Sequence, residues 1–139
     1  MEIKKGFTCG AFDLLHAGHI LMLQEAKSVC DYLIVGLQTD PSLDRESKNS
    51  PVQSLEERRI QIEAVKYVDE VIIYETEKDL LALLKRLKPD IRIIGADHEG
   101  KPFTGHELDI ELFFNSRNHS WSSSDLRRRI VEHETRKLS

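Results

Sequence analysis

The sequence predicts an α/β domain of the Rossmann-like kind, with a five-stranded parallel sheet and helices on both faces. Three observations lead there. Short apolar runs alternate with amphipathic segments of about ten to fifteen residues, the pattern of right-handed βαβ units. One run, Tyr32-Leu33-Ile34-Val35-Gly36-Leu37, is continuously apolar, as a strand covered on both faces must be. The 139 residues make one domain of ordinary size, long enough to bury a core without disulfides or a structural metal.

The elements follow in order. Gly6 to Cys9 reads as a first strand running into Gly10. From Gly18 to Cys30 the apolar residues Ile20, Leu23, Ala26 and Cys30 recur at helical spacing. Tyr32 to Leu37 is the second strand, and Gln38 to Gln53 is a polar segment broken by Pro41 and Pro51. Ser54-Leu55-Glu56-Glu57 is a capping box opening a helix with Leu55, Ile62 and Val65 on one face. Val71 to Tyr74 is the third strand. Leu80, Leu84 and Leu87 line the next helix, which Pro89 stops. Ile91 to Gly95 is the fourth strand, Asp97 to Leu108 a long polar loop, and Ile110 to Phe114 the fifth strand. Ser122 to His133 closes the domain as a helix, with Leu126 and Ile130 expected to face inward. A sheet of this kind binds ligands at the carboxyl ends of its strands, where strand order reverses.

Composition narrows the function classes. Hydrophobic residues make up 40% and charged residues 32%, a globular balance. A formal net charge of −4 argues against a general nucleic-acid binder, yet twenty Lys and Arg can still build a local cationic pocket. No run is long and apolar enough to span a membrane, and the start Met1-Glu2-Ile3-Lys4-Lys5 holds no signal-peptide core. Cys9 and Cys30 lack metal-type spacing and are expected to be reduced, buried thiols. These readings lead to the expectation of a cytoplasmic protein.

The chemistry concentrates after the first strand, in Gly10-Ala11-Phe12-Asp13-Leu14-Leu15-His16-Ala17-Gly18-His19. His16 and His19 stand three residues apart at a helix start, about 60° apart around the axis and roughly 4.5 Å along it. Both can therefore meet one ligand. The helix N-terminus adds unpaired amides and a positive end, which favour phosphate. Gly18 removes a side chain where a triphosphate would approach the backbone. Imidazole N–H groups aimed at phosphorus would stabilise charge on its oxygens in a five-coordinate transition state. Taken alone, such a pair is also compatible with ordinary helix-start residues or a metal pair.

A second element reads Arg117-Asn118-His119-Ser120-Trp121-Ser122-Ser123-Ser124-Asp125. Three serines at a helix start exceed what a cap requires and offer a further anion site, with Arg117 one short loop upstream.

The first element resembles the first signature of the nucleotidyltransferase superfamily named for its His-x-Gly-His motif. The second resembles that superfamily's other signature, an Arg followed by paired Ser/Thr before the last helix. The likeness is greatest to short bacterial glycerol-3-phosphate cytidylyltransferases, through Asp31-Tyr32-Leu33-Ile34-Val35, Glu57-Arg58-Arg59, Tyr67-Val68-Asp69-Glu70-Val71 and Gly95-Ala96-Asp97-His98-Glu99-Gly100-Lys101. The resemblance implies transfer of CMP from CTP to a phosphate monoester, with release of pyrophosphate and with Mg²⁺ carried in on the triphosphate.

It further implies that His16, His19 and Arg117 are catalytic. Gly10, Ala11, Phe12 and Gly18 would form the nucleotide loop, and Asn118, Ser122 and Ser123 would meet the phosphates. Gly95 and Asp97 would line the cytidine pocket, while Lys48 and Arg58 would hold phosphates from beyond the second strand. Asp13 would organise the loop internally. The partners implied are CTP, a small phosphorylated acceptor and a second copy in a homodimer, with a role in capsule or cell-wall polymer synthesis. No dedicated metal site is implied.

Some positions depart from that family. Ala11 replaces a phosphate-bonding Thr or Ser, Lys66 replaces an Arg, Trp121 stands where a small aliphatic residue belongs, and Lys101 to Asn115 follows a different pattern. The departures cluster where the acceptor should sit. Glycerol 3-phosphate and another phosphorylated sugar, polyol or amino acid therefore both stay open as acceptors. An adenylyltransferase of the same fold and a nucleotide-binding module without turnover remain as competitors. A metal-dependent hydrolase fits less well, because no third ligand has a recognisable spacing to the two histidines.

Overall fold

The computed structural model describes residues 2–138. Among them the chain forms five strands, β1 (Lys5–Gly10), β2 (Tyr32–Gln38), β3 (Glu70–Tyr74), β4 (Ile91–Ile94) and β5 (Glu111–Phe114). Four α-helices connect or follow them: α1 (Ala17–Ser28), α2 (Leu55–Glu63), α3 (Glu77–Leu87) and α4 (Ser123–Lys137). The sheet runs β3-β2-β1-β4-β5 and every neighbouring pair is parallel. The chain winds outward from β1 to β3, then returns to place β4 on the other side of β1. That reversal opens a crevice at the carboxyl ends of β1 and β4.

Alternation along β2 divides the core between the two faces. Leu33, Val35 and Leu37 pack with Leu23 and Ala26 of α1 and Ile62 of α2. Ile34 points the other way, into a cluster with Phe7, Tyr74 and Leu80, Leu83 and Leu84 of α3. A strand buried on both faces has no polar position to spare, which is why this stretch is apolar throughout.

The helix boundaries have local causes. At α2 the Glu57 N–H donates to Ser54 Oγ and the Ser54 N–H donates to Glu57 Oε1, each at 3.1 Å. Thr76 and Asp79 repeat the device at α3. That helix ends on Lys88 in the left-handed conformation, φ 48°, one residue before Pro89.

Four expectations need correction. Strand β1 extends one residue further at each end than Gly6 to Cys9, and β5 begins at Glu111 rather than Ile110. Helix α4 buries no residue, Leu126 is only half-buried and Ile130 is 47% exposed. This helix docks through its first turns, and beyond them no described element covers it. Cys9 and Cys30 are part-buried rather than buried, because Cys9 faces a cavity; desolvation still pushes both thiols above their ordinary pKa. Lastly, the stretch after β4 is not a plain polar loop. It begins with a 3-10 turn at Ala96–His98, then folds Phe103 and Gly105 back against the sheet.

Among the described residues, no helix is long and apolar enough to cross a membrane.

Candidate active site

The two motif histidines build the start of α1 between them. His16 is the N-cap residue, and its Nδ1 accepts from the Gly18 N–H at 3.0 Å. His19 stands three residues on, and its Nδ1 accepts from the His16 N–H at 3.2 Å. This is a capping box made of imidazoles. A nitrogen that accepts a backbone N–H carries no proton, so in each neutral ring the proton sits on Nε2. The fold thus fixes both tautomers with the proton, and so the donor, on Nε2.

Electrostatics keep the rings neutral. Burial, followed by the neighbouring His16, lowers the His19 pKa to about 4 against an upward pull from Asp13. His16 is lowered as well, by burial first and then by His119 and Arg129. The two ring centroids are 3.9 Å apart, and a second proton would be strongly disfavoured there.

The start of α4 closes over the same point. Ser122 caps the helix, its Oγ accepting from the Asp125 N–H at 3.1 Å. Ser123 is therefore not needed as the cap, and its Oγ lies 3.2 Å from His16 Nε2. A third imidazole, His119, stacks on Trp121 with centroids 5.5 Å apart and planes at 26°. A Cβ on residue 18 would fall 2.8 Å from His16 Cε1 and 3.0 Å from His119 Cε1. A side chain at 18 would have to displace one of the two imidazoles, His16 or His119, that crowd that spot.

Below this cluster lies a buried polar frame. Asp13, 7% exposed, accepts from the N–H groups of Val52 (2.8 Å) and Gln53 (2.9 Å) and from Arg127 Nη2 (2.7 Å). It is a loop organiser, as its place in the sequence predicts. Arg58, 2% exposed, donates to the backbone carbonyls of Gln53, Ala11, Gln38 and Thr39.

Two cavities open at the crevice. The first, about 570 Å³, is lined by His16, Gly18, His19, Arg117, Asn118, Ser122 and Ser123. The second, about 370 Å³, takes Gly10, Ala11 and Lys48 in its lining. Gly95 and Asp97 line both, together with Met22 and Asn115, and so mark the junction.

Two predicted site residues line neither cavity. Arg58 spends four donors on main-chain carbonyls and holds the loop from inside, so it is not a phosphate ligand. Phe12, 5% exposed, turns its ring into the core and only flanks His19, 5.5 Å from ring to ring. Gly10, Ala11 and Lys48 sit apart from the histidines, in the second cavity. His119, Trp121 and Arg127 had no assigned role in the sequence. Their signal was their place inside or just after the run from Arg117 to Ser123, but only the fold brings them to α1.

Comparison with known proteins places this geometry. The model of the cytidylyltransferase-like family matches residues 7–129, from β1 into α4. The chain belongs to the cytidylyltransferase-like family. It is therefore a nucleotidyltransferase-type domain, and the family match takes in both the imidazole cap and the serine turn.

Among curated relatives it is similar to the bifunctional protein HldE of Campylobacter fetus subsp. fetus, 45% identical over 107 residues, covering 76% of this chain and 23% of that protein. HldE of Aliarcobacter butzleri is 35% identical over 129 residues, covering 92% of this chain and 27% of the relative. The chain thus spans about a quarter of the length of these relatives. Among solved structures, a lipopolysaccharide core biosynthesis protein from Thermoplasma volcanium has a TM-score of 0.71 at 28% identity, covering 85% of this chain and all of the other. A pantoate-beta-alanine ligase from Francisella tularensis shares the fold, with a TM-score of 0.56 at 20% identity.

Proposed function

We propose that the chain transfers a nucleoside monophosphate from a nucleoside triphosphate to a phosphate monoester, releasing pyrophosphate. The observation that carries this reading is the imidazole capping box, which leaves two neutral Nε2–H donors at a helix N-terminus beside Ser123. Such donors suit phosphate oxygens, and their hold strengthens as charge builds on the phosphorus. The triphosphate would occupy the first cavity and the acceptor the second, meeting at Gly95 and Asp97.

An oxygen of the acceptor phosphate attacks the α-phosphorus in line. The new P–O bond forms as the bond to the bridging oxygen breaks, and that electron pair leaves with pyrophosphate. The attacking group is already an anion, so no general base is required. His16, His19 and Arg117 supply charge stabilisation, and the site supplies orientation. Mg²⁺ is held largely by phosphate oxygens and water with one or two carboxylates. Asp97, the carboxylate at the junction of the cavities, fits that need; the bound ion would offset phosphate charge.

The nucleotide is read as CTP, supported by the family's description and by the resemblance around Gly95 to Lys101. ATP is the second reading, favoured by one observation. The stacked His119 and exposed Trp121 give the first cavity a broad aromatic face suited to a purine. For the acceptor, a phosphorylated sugar or polyol of a surface polymer is favoured over glycerol 3-phosphate. The Thermoplasma volcanium relative, named for lipopolysaccharide core biosynthesis, supports that choice.

A pyrophosphate-release screen crossing four nucleoside triphosphates with a panel of phosphate monoesters tests the reading. Turnover with CTP and a sugar phosphate is expected. Preference for ATP would replace the nucleotide and leave the chemistry intact. Absence of pyrophosphate release with every pair would refute the transferase reading.

A further inference from the structure

The second cavity contains a cation that the proposed chemistry does not use. Arg92 lies on β4, the strand beside the point of reversal, and is 5% exposed. An arginine in a strand otherwise made of isoleucine has to be explained, because burying a charge is costly without a partner.

The protein satisfies this guanidinium only in part. Nη1 donates to the Thr104 carbonyl, and the Phe103 ring lies 5.2 Å from the guanidinium carbon. Among the described residues no carboxylate forms an ion pair with it. An arginine has five N–H groups, so several remain without a protein partner. These are not sealed in the protein interior. Among the described residues, the buried side-chain atoms lacking a partner are Gln61 Oε1 and Asn115 Oδ1, and Arg92 itself lines the cavity.

The backbone is shaped to hold this arrangement. Gly105 takes φ +84°, and a Cβ there would come within 3.0 Å of Arg92 Nη1 and 2.9 Å of Leu84 Cδ1. The turn carrying Phe103 and Thr104 therefore closes directly on the guanidinium. Beside it, Thr104 Oγ1 donates to Glu77 Oε1 at 3.2 Å, and Arg45 also pairs with Glu77. The Glu77 charge is thus compensated within the protein, while the Arg92 charge is not.

We infer that Arg92 is a specificity-determining residue that binds the acceptor's tail, with its free N–H groups donating to hydroxyl oxygens of a polyhydroxylated phosphate monoester. This rests on the transferase reading and adds to it the residue that selects the acceptor. The guanidinium supplies fixed donors, and the Glu77 carboxylate supplies acceptors in the lining of the same cavity. A row of hydroxyls can use both at once. An apolar tail can use neither, and a carboxylate tail can accept from Arg92 but has no donor for Glu77.

The test compares acceptors at saturating nucleotide, using a hexose 1-phosphate, glycerol 3-phosphate and 3-phosphoglycerate. The parent should favour the hexose phosphate by about tenfold or more in kcat/KM, the size of a hydrogen bond to a charged donor. Arg92→Lys should raise the KM for the hexose phosphate by about tenfold, leave kcat and the nucleotide KM within about threefold, and erase the preference. Phe103→Leu keeps the arginine and loosens only its plane. It should raise the same KM by about threefold, which keeps the inference testable if the buried substitution does not fold.

Equal acceptor use by the parent, preference for phosphoglycerate, or a matching loss for every acceptor and for the nucleotide would overturn the role of Arg92. Turnover by the parent with variants that keep its KM overturns this inference alone. No turnover by the parent with any acceptor overturns it together with the transferase reading.

Discussion

Replacing His19 with glutamine separates what the imidazole does for the fold from what it does at the site. Gln at the third helical position is a natural capping-box partner, so its carbonyl can still accept the His16 N–H. What it cannot do is titrate. In the parent the His19 pKa is lowered to about 4, mainly by burial, against 6.5 for an unperturbed imidazole. Between those values the unfolded chain binds the proton and the folded one does not. Stability therefore rises with pH across that window, is fully present above about pH 6.5, and is lost as pH falls toward 4. At 1.36 kcal/mol per pH unit the full effect is about 3 kcal/mol, of which roughly 2.5 kcal/mol has gone by pH 4.5. Urea unfolding of both proteins at pH 7.5 and 4.5 measures it. The carboxylates contribute alike to parent and variant and cancel in the comparison. His19→Gln should lose about 2 to 2.5 kcal/mol less than the parent on acidification. An equal loss in the two proteins, to within about 0.5 kcal/mol, would refute the assignment of His19 as a buried neutral donor.

Three further outcomes are expected. His16→Ala and His19→Ala should each lower kcat by roughly 10²-fold in pyrophosphate release, with a smaller effect on nucleotide binding, because the donors act mainly in the transition state. Either variant keeping kcat within about twofold would remove that residue from catalysis. Gly18→Ala should cut kcat by roughly tenfold or more by displacing His16 and His119, while urea stability moves by under about 1 kcal/mol as clash and helix propensity offset one another. Arg58→Met should lower stability by about 3 kcal/mol or more in the same assay, since it strands the carbonyls of Gln53, Ala11, Gln38 and Thr39.

The parts legible in the sequence are those set by periodicity and by short-range hydrogen bonds. The β2 run, the Ser54–Glu57 box and the stop at Pro89 are local, and their causes lie within a few residues. The two histidines were legible for the same reason, because spacing alone puts them on one helix start. What stayed hidden depends on distant partners. Nothing near Arg58 reveals that its guanidinium will reach Ala11, Gln38 and Thr39, so a buried staple resembled a phosphate ligand. Ile130 keeps helical spacing but has nothing to pack on, since a periodic face states which side is apolar and not what covers it.

The division between legible and hidden also follows the division of labour in the site. The groups proposed to act on the α-phosphorus come from two contiguous runs, one at the start of α1 and one before α4, so their chemistry can be read as motif. The groups proposed to select the acceptor come from β1, β4, the start of α3 and the turn at Phe103 to Gly105. No spacing in the sequence links them. A fold that keeps its reaction in two short runs and its selectivity in scattered strand ends can exchange acceptors through single substitutions without disturbing the imidazole cap. Arg92, alone among the isoleucines of β4, is such a position.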